Sequence, residues 1–142
     1  MDGKFTINSP LEKTYSSLCD PSFMVTCIPD LQSHTIRDNE HFDAKVRVGI
    51  GLVRGSVDMK FVLADRKSPG HAKLIGDGQG AGSRMHIEST FDLSSTGTGT
   101  EMSWSADADL SGLMAGIGGS VLKGQSEKQV SQIFQNIKSK LE

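Results

Sequence analysis

The hydrophobic period of this chain changes once, and that change dictates most of its fold. From Leu31 to Leu110 apolar and polar residues alternate. Ala44, Val46, Val48 and Ile50 share one face of a strand, and Asp43, Lys45 and Arg47 the other. Val53, Gly55, Val57, Met59, Phe61 and Leu63 oppose Arg54, Ser56, Asp58 and Lys60. Met85, Ile87, Phe91 and Leu93 oppose Arg84, His86, Glu88, Thr90 and Asp92. Met102, Trp104, Ala106 and Ala108 oppose Glu101, Ser103, Ser105, Asp107 and Asp109. One side of every run is dry and the other wet, as in an antiparallel sheet with one covered face. Turn residues part the runs at Asp38-Asn39, Gly49 to Gly51, Lys67 to Gly70, Gly80 to Ser83 and Ser94 to Gly99. The spacing predicts a meander of about six strands.

After that the period is three and four: Leu110, Leu113, Met114, Ile117 and Val121, then Val130, Ile133, Phe134, Ile137 and Leu141. This predicts one long amphipathic helix, loosened at Gly116 to Gly119. A sheet with one apolar face needs a cover, and this helix is the only element large enough. Ahead of the meander, Lys4 to Ile7 reads as a short strand. Ser9-Pro10-Leu11-Glu12 reads as a capping box with Pro10 at the first helical position. Asp20-Pro21 starts a second short helix the same way, and Pro29 ends it. The predicted fold is α+β: a curved antiparallel sheet of seven strands, two short helices after the first strand, and a long C-terminal helix over the concave face. The 142 residues are expected to form a single domain, 1–142.

Charge narrows the function. Acids and bases are mixed, with a formal net charge of −2. No basic block offers a nucleic-acid footprint, and no acidic tail is present. Met1 to Ile7 lacks the apolar run of a signal peptide, and no stretch approaches the roughly 20 apolar residues that span a bilayer. Cys19 and Cys27 read as free thiols in a reducing, cytoplasmic setting.

Three features favour a hollow interior. Gly76, Gly78, Gly80 and Gly82 strip side chains from one face of a strand. Gly112, Gly116, Gly118, Gly119 and Gly124 thin the start of the last helix, each at a cost of up to about 1 kcal/mol relative to alanine. Met24, Met59, Met85, Met102 and Met114 all point inward, and methionine suits a pliable apolar pocket. Each has a plainer reading: bending of the sheet, close helix packing, and ordinary core.

Chemical motifs do not assemble. Gly76 to Gly82 resembles a phosphate loop, but a strand follows it instead of a helix N-terminus. His34, His41, His71 and His86 have no metal-ligand spacing. Asp107 and Asp109 share the wet face of their strand, which suits solvation more than acid–base work. Cys27 lacks a base partner and reads as a small buried residue. No catalytic residue, metal site or cofactor is expected.

Gly3 to Ile7 followed by Ser9 to Pro21 resembles the opening of the carbon monoxide dehydrogenase G-subunit (CoxG) family. Cys27-Ile28-Pro29 is similar to its Cys-x-Pro step. Lys45 to Gly49 with Gly55 to Phe61 resembles its central hairpin. Gly76 to Gly80, Gly99 to Asp107, and Gly112 to Gly118 resemble its later strands and the start of its last helix. The resemblance spans nearly the whole chain. It implies the START-like helix-grip (SRPBCC) fold, with seven strands gripping a C-terminal helix around an apolar cavity. It also implies an accessory role beside a molybdenum hydroxylase of the carbon monoxide dehydrogenase type, with a lipid or quinone as ligand. Two departures stand out. Asp30 occupies the place after Cys-x-Pro where the family usually has glycine. The chain also lacks the C-terminal extension through which some members reach the membrane, so at most peripheral membrane contact is expected.

The expected ligand cavity is lined by Val48, Val57, Met59, Leu74, Met85, Ile87, Met102, Trp104, Leu113, Met114 and Ile117. Gly76 and Gly78 leave room in it, and Gly112 to Gly119 serves as a gate. Two other readings stay open. One is an assembly factor with a filled core that docks on such an enzyme. The other is a cavity enzyme, for which His34 is the sole inward candidate base.

Overall fold

The computed structural model describes residues 1–51 and 53–142. Seven strands form one open antiparallel sheet: β1 (Asp2–Ile7), β2 (Leu31–Ile36), β3 (His41–Ile50), β4 (Val53–Lys67), β5 (His71–Gly80), β6 (Ser83–Thr96) and β7 (Gly99–Gly112). Their spatial order is β1-β7-β6-β5-β4-β3-β2, so β2 to β7 is a plain meander and β1 adds to its far side. Helices α1 (Leu11–Leu18) and α2 (Pro21–Thr26) link β1 to β2. A 3-10 turn, Leu113–Gly116, links β7 to α3 (Gly119–Leu141).

The register puts the dry residues on one face, as the alternation demands. Phe42, Ala44, Val46 and Val48 stand opposite Phe61, Met59, Val57 and Gly55. Met85, Ile87, Phe91 and Leu93 stand opposite Leu110, Ala108, Trp104 and Met102. Directly opposed residues share a face, so the whole apolar set lines the inner, concave side. All five predicted turns are present.

Three local expectations are corrected. Leu110 belongs to β7, because Ala106, Ala108 and Leu110 stay paired with Ser89, Ile87 and Met85 on β6. The helical spacing of Leu113, Met114 and Ile117 yields a single 3-10 turn, since Gly112 sits at φ +80 and turns the chain off the sheet. A Cβ there would run into the Gly82 carbonyl oxygen, so only glycine fits. The long helix accordingly begins at Gly119. Ser9 also caps nothing: Pro10 is the N-cap of α1, with no side-chain hydrogen bond. The Ser9 hydroxyl is buried without a partner, while its carbonyl accepts from Thr100 Oγ1 at 2.7 Å. Asp20, by contrast, caps α2 as expected, accepting from the Ser22 N–H at 2.9 Å, with Pro21 first in the helix.

The apolar interior divides in two. One cluster joins Ile7, Leu18, Cys27, Ala72, Phe91, Leu93 and Met102 to Ile137 and Leu141 of α3. The other joins Val25 to Phe42, Ala44, Val53, Val57, Met59 and Met114. Met24 packs against both.

Candidate functional site

The long helix grips the sheet with only part of its length. In its C-terminal half Ile137 and Leu141 are buried, and Phe134 packs edge-on to Trp104 with ring centroids 5.3 Å apart. Asn136 Nδ2 donates to the Cys27 carbonyl at 2.9 Å, and Lys140 Nζ donates to Thr26 Oγ1. The Asn8 N–H donates to Glu142 Oε2 at 2.9 Å. In its N-terminal half Val121 is exposed, and no α3 residue enters the second cluster. That cluster is covered instead by α2 and by the 3-10 turn. The turn is fastened by Leu113 N–H to the Gly82 carbonyl (3.0 Å) and by Met114 N–H to Ser83 Oγ (2.9 Å).

This leaves an incompletely covered apolar band. Phe61, Leu74, Met85, Ile87, Leu110 and Ile117 pack against the second cluster but keep part of their surface in water. Apolar surface left open beside a core is where an apolar molecule gains most by binding. On strands β4 to β7 the inner-face residues around the band are uncharged. The polar groups near the band are Ser83 and Ser89, and the Ser89 hydroxyl already donates to the Leu74 carbonyl at 3.2 Å.

Of the expected lining residues, the structure brings together Val48, Val57, Met59, Leu74, Met85, Ile87, Met114 and Ile117. Met102 and Trp104 fall in the other cluster, where Trp104 supports α3 through Phe134. Leu113 points outward, 60% exposed, and rests over Gly82. The space above Gly76 is taken by the Phe61 ring, which an added Cβ would meet at 2.7 Å, and that above Gly78 by Met59, Met85 and Val57. All five inward methionines pack in the clusters. Phe61 and Leu110 join the band without having been expected in the lining, although the same alternation places both on the inner face.

The polar chemistry lies elsewhere. His34 pairs opposite Ala44 and so shares the inner face, but on the edge strand β2, where it is exposed and outside both apolar clusters. His86 sits on the outer face, its Nδ1 2.5 Å from Asp77 and its Nε2 3.2 Å from Glu88. These hydrogen bonds raise its pKa above the ordinary histidine value. Two shallow depressions of about 600 and 520 Å³ also open on that face, lined by Asp58, Gln79, Arg84 and Ser111 among others. Their charged walls are solvated and suit no apolar guest. Burial pushes both free thiols, Cys19 and Cys27, up from their usual pKa, so neither is poised as a nucleophile. Among the described residues no group of three or more His, Cys, Asp or Glu could hold a metal ion, and no helix is long and apolar enough to cross a membrane.

A family model, that of the carbon monoxide dehydrogenase G-subunit (CoxG), matches residues 3–142. Solved structures with the same fold include a conserved protein from Geobacillus kaustophilus, 27% identical with a TM-score of 0.89 over 99% of this chain and 93% of that one. A START superfamily protein from Mycobacterium smegmatis is 11% identical, with a TM-score of 0.69 over 99% and 95%. A protein from Rhizobium leguminosarum is 11% identical, with a TM-score of 0.72 over 99% and 92%. No curated protein matches the chain.

Proposed function

The chain belongs to the carbon monoxide dehydrogenase G-subunit (CoxG) family, and from that premise we propose that it is a single-domain, non-enzymatic carrier of an uncharged apolar molecule. The observation that carries this reading is the half-covered band of Phe61, Leu74, Met85, Ile87, Leu110 and Ile117, which the 3-10 turn borders and which α3, gripped only at its far end, leaves uncovered. Each CH₂ the guest buries there contributes about 0.8 kcal/mol. A charged headgroup would meet no partner and would cost far more than its chain gains. Lipids and quinones with neutral heads therefore fit, and the family links the carrier to a molybdenum hydroxylase of the carbon monoxide dehydrogenase type. Room for a guest is made by lifting the 3-10 turn, where a Cβ placed on Gly116, Gly118 or Gly119 would stand in open space. The free thiols suit the cytoplasm.

A filled core is favoured by one specific observation: Phe61, Met59 and Met85 already occupy the space over Gly76 and Gly78. The protein would then act as an assembly factor that docks on the enzyme and carries nothing. Native mass spectrometry of the purified protein, followed by solvent extraction, separates the two. A stoichiometric neutral lipid or quinone supports the carrier. An empty protein that also fails to bind quinones or apolar dyes hands the lead to the assembly factor.

A further inference from the structure

We propose that the free edge of β2 pairs with the same edge of a second copy of this chain, antiparallel across a two-fold axis centred on Thr35. The edge is open and unguarded. β2 ends the sheet, and from Gln32 to Ile36 every residue is exposed. Sheets blunt such edges with lysine, proline or an inward-pointing charge, yet Leu31-Gln32-Ser33-His34-Thr35-Ile36 contains no Asp, Glu, Lys, Arg or Pro. The opposite edge strand, β1, carries Asp2 and Lys4, and its Phe5 is stacked on Phe134. Ile36, 38% exposed, is one of four exposed large apolar side chains among the described residues.

The backbone shows which groups are free. The Arg37 N–H donates to the His41 carbonyl at 3.0 Å, and the Arg47 N–H to the Asp30 carbonyl at 2.9 Å. Both bonds assign the odd-numbered residues of β3 to the hydrogen-bonded pairs with β2. Beyond a register shift between Leu31 and Ser33, those pairs are Lys45 with Ser33 and Asp43 with Thr35. Alternation then leaves His34 and Ile36 with their N–H and C=O groups turned away from β3 into solvent.

Free groups two residues apart are a template for another extended strand, and one two-fold register uses both residues. It pairs His34 with Ile36 of the second copy, and Ile36 with His34 of the second copy, each exchanging both hydrogen bonds around a central pair of threonines. Centring on His34 would set Ile36 against Gln32 at the register shift, and centring on Ile36 would set His34 against Asp38 in the turn. The faces agree as well. His34 and Ile36 lie on the inner face, opposite Ala44 and Phe42, so an imidazole covers the exposed Ile36. Thr35 lies on the outer face, opposite Asp43, and opposed threonines are a favourable cross-strand pair. No like charges face each other in this register, and a formal net charge of −2 leaves little long-range repulsion. This self-match favours a second copy over a strand of another protein. The contact is short, at the low end of interface sizes, so the pairing is reversible and depends on concentration. It stands whether or not the protein carries a guest.

The test is sedimentation equilibrium of the full chain over rising concentration, with amide hydrogen exchange measured over the same range. The expected result is a monomer–dimer equilibrium. The His34 and Ile36 amides should gain protection with concentration, while the Thr35 amide, already bonded to β3, should not. Thr35→Lys sets two cations against each other across the axis and should weaken the dimer by about tenfold or more, with unchanged thermal unfolding. Thr35→Asp should do the same, and an equimolar mixture of the two variants should pair again. A monomer at every concentration, a dimer that both charge variants leave intact, or a mixture that stays monomeric overturns the proposal. So does protection of the His34 and Ile36 amides by a strand of another protein alone.

Discussion

The ring of Phe134, on the last helix, lies nearly flat on the ring of Phe5, on the first strand, with centroids 4.5 Å apart and planes 21° from parallel. The two residues come from opposite ends of the chain, and their stack is the middle of the clamp that holds α3. Lys138 Nζ stands over the same Phe5 ring at 5.7 Å. Removing the stack should therefore cost far more than trimming the free half of the same helix. Phe134→Ala is expected to destabilise by about 2–3 kcal/mol, the low end for a large aromatic because the ring is only partly buried. Val121→Ala should change stability by less than about 0.5 kcal/mol. Urea unfolding of the two variants beside the parent checks the contrast, and equal losses would mean that α3 is held along its whole length.

Asp30 adopts φ +60, the left-handed region, in the turn between α2 and β2. Its carbonyl accepts from the Arg47 N–H at 2.9 Å, so the turn also sets where β2 meets β3. Aspartate tolerates this backbone because its side chain is short and unbranched, whereas a β-branched residue does not. Asp30→Val should cost about 1–2 kcal/mol, and Asp30→Gly, the residue the family usually has there, should cost nothing measurable. Thermal unfolding of both decides it. A loss in the glycine variant as large as in the valine variant would show that the carboxylate, rather than the backbone, matters here.

His86 should titrate above the usual 6.5, because its hydrogen bond to Asp77, then that to Glu88, favours the imidazolium. The folded state binds this proton more tightly than the unfolded one. The stabilisation is therefore fully present below pH 6.5 and is lost as pH rises through the folded pKa. The ring is exposed, so the visible effect is the titration itself rather than a large change in stability. Asp77→Asn should lower the His86 pKa toward 6.5 in a nuclear magnetic resonance titration of the imidazole, and an unmoved value would mean the pair does not persist in solution.

Much of this fold is legible in the sequence because the sheet is written in period two, and the side-chain period of a strand allows no other choice of face. The turn chemistry placed every hairpin. The start of the last helix is less legible, for a physical reason. Leu110 fits both an alternating and a helical pattern, and only its pairing with Met85 on β6 decides for the strand. Ser9 carries a capping signature, yet its carbonyl is claimed by Thr100, a residue distant in sequence, and its hydroxyl turns inward. Asn136 and the Phe5–Phe134 stack leave no local signal either, since they exist only once the chain ends meet. The same holds for the site. The inner face could be read residue by residue, but the division of that face into two clusters, which removes Met102 and Trp104 from the band, comes from where α3 ends up.

That division makes the roles of Trp104 and Ile117 separable. Trp104 lies beside Phe134 and over Gly3, in the cluster that clamps the helix. Ile117 lies beyond the 3-10 turn, beside the open band. Trp104→Ala should remove a large apolar face and cost about 2–4 kcal/mol of stability, with only a modest effect on binding. Ile117→Arg should leave the fold almost as stable as before, because the side chain is at the edge and its charged end can reach water. It should weaken binding of a neutral quinone or a long-chain alcohol by roughly tenfold or more, since it sets an unpaired charge at an apolar entrance. Thermal unfolding and fluorescence titration with the same apolar probe, run on both variants, read the two effects apart. Unchanged affinity in Ile117→Arg would place the ligand somewhere other than this band, and a loss of affinity in Trp104→Ala out of proportion to its loss of stability would move the site toward the clamped half of α3.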